Sequence, residues 1–104
     1  MEELQVIELP CGVHIQRNDK NRIIICNNTI AIFTPTEYRL LSLLLSGNIV
    51  NDATLTNEVL SCQQMNKTIQ NLLKKHIENT KSKLQALGLD IHRVYKKGYV
   101  LMAS

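Results

Sequence analysis

The chain has 104 residues, a length that suits one compact domain with one core and excludes a two-domain enzyme. Hydrophobic residues make up 44% and charged residues 20% of the sequence, which is typical of a globular fold and excludes a disordered chain. The sequence holds no membrane-span pattern, and its acidic start lacks a signal-peptide pattern, so we expect a cytoplasmic protein.

Positive charge is concentrated in the C-terminal third of the chain, although the net charge is only +3. Residues 67–97 hold eight lysines and arginines against Glu78 and Asp90, a balance of +6, whereas the rest of the chain carries −3. A concentrated positive field attracts phosphate backbones. A solvated, lysine-rich helix face would give the same count, so charge alone leaves both interpretations open.

Residues 1–33 have the alternation of apolar and polar residues that predicts short strands. The apolar pairs are Leu4 and Val6, Val13 and Ile15, Ile23 and Ile25, and Ile30 and Ile32. Turn residues separate the pairs, so we expect a four-stranded antiparallel sheet. A sheet this small needs a helical layer to cover its apolar face.

That layer is predicted over residues 34–88 as three helices. Thr34 can cap the first helix, Pro35 suits its first position, and Glu37 can bond back to the cap. Phe33 and Tyr38 have the spacing of a hydrophobic staple. These local signals together make a strong helix start.

A second, short helix is expected from the cap Asn51 to about Leu60, and a third covers about residues 66–87. The apolar stripe of the third helix is predicted at Ile69, Leu72, Leu73, Ile77, Leu84 and Leu87, with His76 and Thr80 in the same stripe. Its opposite face holds Asn71, Lys74, Lys75, Glu78, Lys81, Ser82 and Gln85. Such a helix can enter the major groove of DNA, but an ordinary amphipathic surface helix has the same pattern.

A C-terminal hairpin is predicted over residues 89–104, with strands at 91–95 and 99–102. Lys96, Lys97 and Gly98 form its tip. Two lysines at this place can reach phosphates, and they can equally protect an exposed strand edge from aggregation.

The predicted order of elements resembles the winged-helix DNA-binding domain of the OmpR/PhoB type, found in bacterial response regulators and in ToxR/CadC activators. Residues 33–41, FTPTEYRLL, are similar to the LTPTEFRLL opening of that family's first helix. The matches to its VHISRLRKKL helix are His76-Ile77, Lys81 and Lys83-Leu84, and the matches to its TVRGVGYRL hairpin are Val94, Gly98 and Tyr99. The resemblance implies an α+β winged helix-turn-helix with an N-terminal four-stranded antiparallel sheet, three helices and a C-terminal β-hairpin wing.

Several positions depart from the family pattern. Asn79 and Lys81 stand where the family usually has arginines, and Tyr95 and Lys96 replace the arginine and glycine of its wing. The resemblance therefore implies the family's fold, whereas the base sequence that the third helix reads cannot be inferred from the family. The family's phospho-receiver domain does not fit into a chain of this length.

The resemblance implies a transcriptional regulator that binds double-stranded DNA sequence-specifically. Residues 66–87 would lie in the major groove, and the wing at 91–102 on the flanking backbone or minor groove. The candidate DNA-binding residues are Lys74, Lys75, Glu78, Asn79, Lys81, Ser82, Tyr95, Lys96, Lys97, Thr36 and Arg39. The loop with Gln63, Gln64 and Met65 resembles the family segment that contacts RNA polymerase. Family members commonly bind direct repeats as head-to-tail pairs, and a homodimer is a further expectation.

The sequence indicates neither an enzyme nor a metal or cofactor site. Its three histidines are far apart, no CxxC motif is present, and no glycine-rich phosphate loop or nucleophile elbow is found. We therefore expect no catalytic residues, no cofactor and no small-molecule substrate. The alternative function is a protein-interaction module, an anti-regulator or adaptor that binds a transcription factor or RNA polymerase. The modest net charge and the acidic Glu78 within the cationic face favour this alternative.

Overall fold

The fold is that of a winged helix, as the sequence predicts. The computed structural model describes residues 4–10, 12–62 and 66–103. The elements are β1 (Gln5–Glu8), β2 (His14–Asn18), β3 (Ile23–Cys26), β4 (Thr29–Ile32), α1 (Pro35–Leu44), α2 (Asp52–Leu60), α3 (Lys67–Gln85), β5 (Leu89–Val94) and β6 (Gly98–Ala103). The first four strands form one antiparallel sheet in chain order, and β5 pairs with β6 as a separate hairpin, the wing. Within the described ranges, none of the helices is both long and apolar enough to cross a membrane.

The sheet buries a different set of residues from the one that the alternation predicts. Ile24 lies between Arg17 and Ala31 on the inner face and is fully buried. Ile30 pairs with Ile25 on the outer face and is 62% exposed. The prediction is thus right for Ile15, which is buried, and wrong for Val6, Ile30 and Ile32, which are exposed. The reason is that β3, with the sequence IIIC, is apolar on both faces, so its side-chain pattern does not specify which face is buried.

Helix α1 begins at the predicted motif. The backbone N–H of Glu37 donates to Thr34 Oγ1 at 3.2 Å, and the backbone N–H of Thr34 donates to Glu37 Oε1 at 2.9 Å. This is the reciprocal capping box that the residue types predict. The ring centroids of Phe33 and Tyr38 are 6.3 Å apart, which confirms the staple. The helix then buries Leu40, Leu41 and Leu44 in the core.

A polar cluster ties the turn after β2 to α1. The hydroxyl of Tyr38 donates to Asp19 Oδ1 at 2.6 Å, and Arg17 Nε donates to the same oxygen at 2.7 Å. The guanidinium of Arg17 also lies 5.5 Å from the centroid of the Tyr38 ring. Burial raises the pKa of Tyr38, and the bond to Asp19 raises it further, to about 12.

Helix α3 begins after the cap Asn66, whose side chain accepts from the backbone N–H of Ile69 at 2.9 Å. Leu73, Ile77 and Leu84 are buried as predicted. Thr80 is buried too, and its hydroxyl donates to the carbonyl of His76 at 2.7 Å. The prediction is wrong for one member of the apolar stripe, Leu72, which is 40% exposed. It lies about 100° around the helix from the line of buried residues.

The wing is attached by backbone hydrogen bonds to the segment before α2. Val50 and Tyr99 exchange N–H···O=C bonds of 2.9 Å in both directions. Gly98, at φ 141°, makes this approach possible, because a Cβ there would lie 2.0 Å from the carbonyl oxygen of Val50. The strand ends differ slightly from the prediction: Tyr95 belongs to the turn and Gly98 to a strand.

Candidate nucleic-acid interface

The exposed face of α3 carries five of the candidate DNA-binding residues. They are Lys74, Lys75, Glu78, Asn79 and Ser82, and all five are exposed. Their directions around the helix axis are about 100° to 240° from that of the buried Leu73. The buried stripe therefore fixes which side of α3 faces outward, and the candidate residues occupy that side.

Lys81 lies at the edge of this face and is half-buried. Its Nζ is 3.7 Å from Asp90 Oδ1, at the beginning of the wing. The same oxygen accepts from the backbone N–H of Ile91 at 2.8 Å. Lys81 is therefore partly neutralised by Asp90, which reduces the positive field that it adds to the exposed face.

Lys83 is directed away from this face, toward α1. Its Nζ is 2.5 Å from Glu37 Oε1 and 5.6 Å from the centroid of the Phe33 ring. Glu37 is only 4% exposed. Burial acts to raise the pKa of Glu37, but hydrogen bonds from Lys83 and Thr34 outweigh it and hold the pKa below its ordinary value. The Lys83 charge thus anchors α3 to α1.

The tip of the wing is cationic and contains one aromatic residue. Tyr95, Lys96 and Lys97 are all exposed, Tyr95 to 81%. Lys96 adopts a left-handed conformation at φ 59°, and the backbone N–H of Lys97 donates to the carbonyl of Val94 at 2.9 Å. The Nζ of Lys96 lies 5.4 Å from the centroid of the Tyr95 ring, within cation–π distance.

Arg93 is a cation of the interface that the sequence-based candidates omit. Its Nη1 donates to both carboxylate oxygens of Asp52, at 2.7 and 2.9 Å. Its guanidinium lies 4.8 Å from the centroid of the Tyr99 ring. The hydrogen bond to Asp52 raises the pKa of Arg93. The available signal is the alternation along β5, which places Arg93 on the same side of the strand as the buried Leu89 and Ile91, although its own side chain is exposed.

A shallow groove between α3 and the wing brings several of these side chains together. It is lined by Lys74, Ile77, Glu78, Lys81, Ile91, Arg93 and Tyr99. The groove thus combines three cations with one carboxylate at the junction of helix and wing. A second groove, lined by Asp52, Gln70, Leu73, Lys74, Arg93 and Tyr99, continues it toward α2.

The remaining candidates lie elsewhere on the surface. Lys75, Asn79 and Ser82 are on α3 and the tip residues are on the wing, outside both grooves. On α1, Arg39 is exposed and Thr36 is half-buried. The expected polymerase-contact residues Gln63, Gln64 and Met65 lie outside the described residues.

Comparison with known proteins identifies similar domains. Residues 28–101 match the family model described as "Transcriptional regulatory protein, C terminal". No curated protein sequence matches the chain. Among solved structures, the DNA-binding domain of CpxR from E. coli is 21% identical, with a TM-score of 0.73 over 95% of this chain and 97% of that one. The DNA-binding domain of E. coli CadC is 18% identical, with a TM-score of 0.74 over 100% and 96%.

A third similar structure was solved with its nucleic acid. It is the RstA DNA-binding domain from Klebsiella pneumoniae in complex with the RstA box, with 16% identity and a TM-score of 0.70. The similarity covers 94% of this chain and 97% of that one. At these identities the solved structures establish a shared fold, and the chain covers nearly the whole of each domain.

Proposed function

The chain belongs to the OmpR/PhoB-type family of transcriptional regulatory domains, and on that premise we propose that it reads a specific duplex sequence with α3 in the major groove. The wing then lies on the flanking backbone or in the minor groove. The family is one of DNA-binding regulators, so the chain is not an enzyme, as the sequence predicts.

The distribution of unpaired charge on α3 and the wing is the observation that carries this proposal. Within the described part of the chain, ion pairs engage Lys81, Lys83 and Arg93. Five further cations of the segment 67–97 are exposed and form no described ion pair: Lys67, Lys74, Lys75, Lys96 and Lys97. All five lie on α3 or at the wing tip, where they can neutralise phosphates.

The exposed face of α3 also carries groups that can distinguish bases. Lys74 and Lys75 can donate to guanine, Asn79 can pair with adenine, and Glu78 can accept from the amino group of cytosine. The major groove is wide enough for an α-helix and presents a distinct pattern for each base pair. We therefore assign base-edge or adjacent contacts to these four residues.

Backbone contacts are proposed for the candidates around this face. Lys81 and Ser82 would contact phosphates beside the groove, and Tyr95, Lys96 and Lys97 flanking phosphates or the minor groove. Thr36 and Arg39 at the start of α1 are proposed to contact phosphate as well. Such contacts set position and affinity, whereas base-edge contacts set sequence preference.

The finer aspects of function follow from the family resemblance. We propose that residues 1–104 act as one DNA-binding domain, that residues 63–65 contact RNA polymerase, and that two copies bind direct repeats head to tail. Since the ligand is chromosomal DNA, we also propose a cytoplasmic, nucleoid-associated location.

The test is selection of duplexes from a random pool, followed by fluorescence anisotropy on a selected and a random duplex. Lys75→Ala and Asn79→Ala should each reduce discrimination between the two duplexes by about 1–3 kcal/mol. Lys96→Ala should weaken binding to both duplexes by the same factor. It should also reduce the slope of log affinity against log salt concentration by about one. Lys20→Ala, an exposed lysine in the turn after β2, is the control and should change neither value.

Two outcomes would contradict the proposal. Equal losses on selected and random duplexes for both α3 variants would show that the helix does not read sequence. Absence of salt-sensitive DNA binding, together with a stoichiometric protein complex, would favour the protein-interaction module.

A further inference from the structure

Asp52 and Arg93 join the wing to the beginning of α2. Asp52 is the first residue of α2, and Arg93 is the penultimate residue of β5. One nitrogen of the guanidinium donates to both carboxylate oxygens, at 2.7 and 2.9 Å. Charge-assisted hydrogen bonds of this length are stronger than neutral ones. The contact spans 41 positions of sequence and therefore fixes two elements that the chain itself does not connect locally.

Arg93 is held on a second side by the aromatic ring of Tyr99. The guanidinium lies 4.8 Å from the ring centroid, and the two residues are direct cross-strand partners in the hairpin. Tyr99 is itself fixed by its two backbone bonds to Val50. Arg93 thus lies between an anchored ring and an anchored carboxylate, which restricts its side chain in two directions.

The restricted residue lies two positions before the first residue of the wing tip. Val94 follows Arg93, and its carbonyl accepts from the N–H of Lys97 to close the turn. The orientation of the tip, with Tyr95, Lys96 and Lys97, therefore depends on where the end of β5 is held.

We propose that Arg93 is a positioning residue, held by Asp52 and Tyr99, which sets the direction of the wing tip relative to α3 before DNA binds. The inference rests on the proposed DNA-binding function. A tip that is already oriented loses less conformational freedom on binding, which favours simultaneous contact by helix and wing. Arg93 then acts through the tip lysines and makes no phosphate contact of its own.

Removal of the Asp52 charge tests this proposal, because the positioning role and a purely electrostatic role predict opposite changes in DNA affinity. Asp52 is an acid beside a surface that faces phosphates, so charge alone predicts that its removal strengthens DNA binding. The positioning role predicts the opposite, because Asp52→Asn frees Arg93 and with it the tip. A matched control is Glu58→Gln, which removes the same charge from an exposed position of the same helix.

The experiment compares the full chain, Asp52→Asn and Glu58→Gln in two measurements. The first is NMR relaxation of the free proteins, in which Asp52→Asn should lower the backbone order parameters of residues 94–98 toward the flexible range below about 0.6. The second is anisotropy on a selected duplex at about 50 and 200 mM salt. Asp52→Asn should weaken binding about threefold to fivefold, the range that an exposed ion pair supports. Glu58→Gln should leave the order parameters unchanged and binding unchanged or slightly tighter.

A third variant, Arg93→Gln, separates positioning from direct phosphate contact. Positioning predicts weaker binding with an unchanged salt slope, whereas loss of a phosphate contact reduces the slope by about one. A reduced salt slope in Arg93→Gln would overturn the proposal. Unchanged order parameters of residues 94–98 in Asp52→Asn would also overturn it, and so would DNA binding of that variant as tight as, or tighter than, that of the unmodified chain. If the unmodified chain binds no duplex, the proposed function fails, and the NMR measurement still decides whether Asp52 orders the tip.

Discussion

Lys83 of α3 and Glu37 of α1 are joined by a hydrogen-bonded ion pair of 2.5 Å, and the same carboxylate oxygen closes the N-terminal cap of α1. One buried group therefore both begins the first helix and holds α3, the helix proposed to read DNA, against it. Because Glu37 is 4% exposed, its charge depends on these partners for compensation. The orientation of α3 is thus coupled to a motif of four residues at positions 34–37.

Replacing Lys83 with methionine should destabilise the fold although it adds apolar surface. The change leaves Glu37 buried without its cationic partner, which we expect to cost about 1–3 kcal/mol of unfolding free energy. Urea denaturation at neutral pH measures this cost. Lys75→Met, at an exposed position of the same helix, is the control and should stay within about 0.5 kcal/mol of the unmodified chain. Equal stability of the two variants would contradict a structural role for the pair.

Tyr38 should ionise later than an ordinary tyrosine. Burial and the bond to Asp19 raise its pKa from 10.0 to about 12. Because the folded state binds this proton more tightly, the stabilisation is complete below pH 10.0 and is lost as the pH rises through about 12. Absorbance titration near the phenolate band should show one tyrosine that ionises near pH 12, and Tyr38→Phe should remove this ionisation step. A late step that persists in Tyr38→Phe would contradict the assignment.

The register of the N-terminal sheet predicts stability losses of different size for two isoleucines on opposite faces of the sheet. Ile24→Ala should cost about 2–5 kcal/mol, because Ile24 is fully buried and its removal leaves a cavity. Ile30→Ala should cost about 1 kcal/mol or less, because the side chain is 62% exposed and loses mainly strand propensity. Thermal or urea unfolding of both variants measures the difference. Similar losses would show that both faces of the sheet are covered in solution.

The contrast between α1 and β3 shows what sequence patterns can predict here. The start of α1 is a local motif, in which cap, proline and glutamate act within four residues, and the structure confirms each contact. The face of β3 depends on tertiary packing, because isoleucines occupy both sides of the strand and no local pattern distinguishes them.

In the candidate site, too, some features can be predicted from the local sequence and others depend on tertiary packing. Exposure of Lys74, Lys75 and Asn79 follows from the helical period, which can be taken directly from the sequence. The pairing of Arg93 with Asp52 joins residues 41 positions apart and depends on how the wing packs against α2. Ion pairs of this kind decide which cations remain available for DNA, and a charge count alone does not contain them.

The salt dependence of DNA binding should therefore be smaller than the full charge of residues 67–97 suggests. The five unpaired lysines of this segment, together with the phosphate contact proposed for Lys81, correspond to a loss of about 10³ in affinity between 50 and 200 mM salt, whereas eight cations would give about 10⁴. Anisotropy titrations at four salt concentrations give the slope. A slope that corresponds to eight contacts would show that DNA also displaces the carboxylates of Asp52 and Glu37.

Glu78 provides the sharpest test of sequence reading, because its charge opposes non-specific binding. It lies on the exposed face of α3 one turn from Lys74 and Lys75, where a carboxylate repels phosphates unless it accepts from a base. Glu78→Gln removes the repulsion, so affinity for a random duplex should rise. The same change replaces a cytosine acceptor by an amide, which prefers adenine, so discrimination at one position should shift by about 1–3 kcal/mol.

Repeating the duplex selection with Glu78→Gln measures both effects. The expected result is a selected sequence that differs from that of the unmodified chain at one position, with adenine in place of cytosine. Glu58→Gln removes an equal charge from α2 and should leave the selected sequence unchanged. Tighter binding to all duplexes with an unchanged selected sequence would mean that Glu78 acts only through its charge. Base reading would then be left to Lys74, Lys75 and Asn79, because these are the other side chains assigned to base edges.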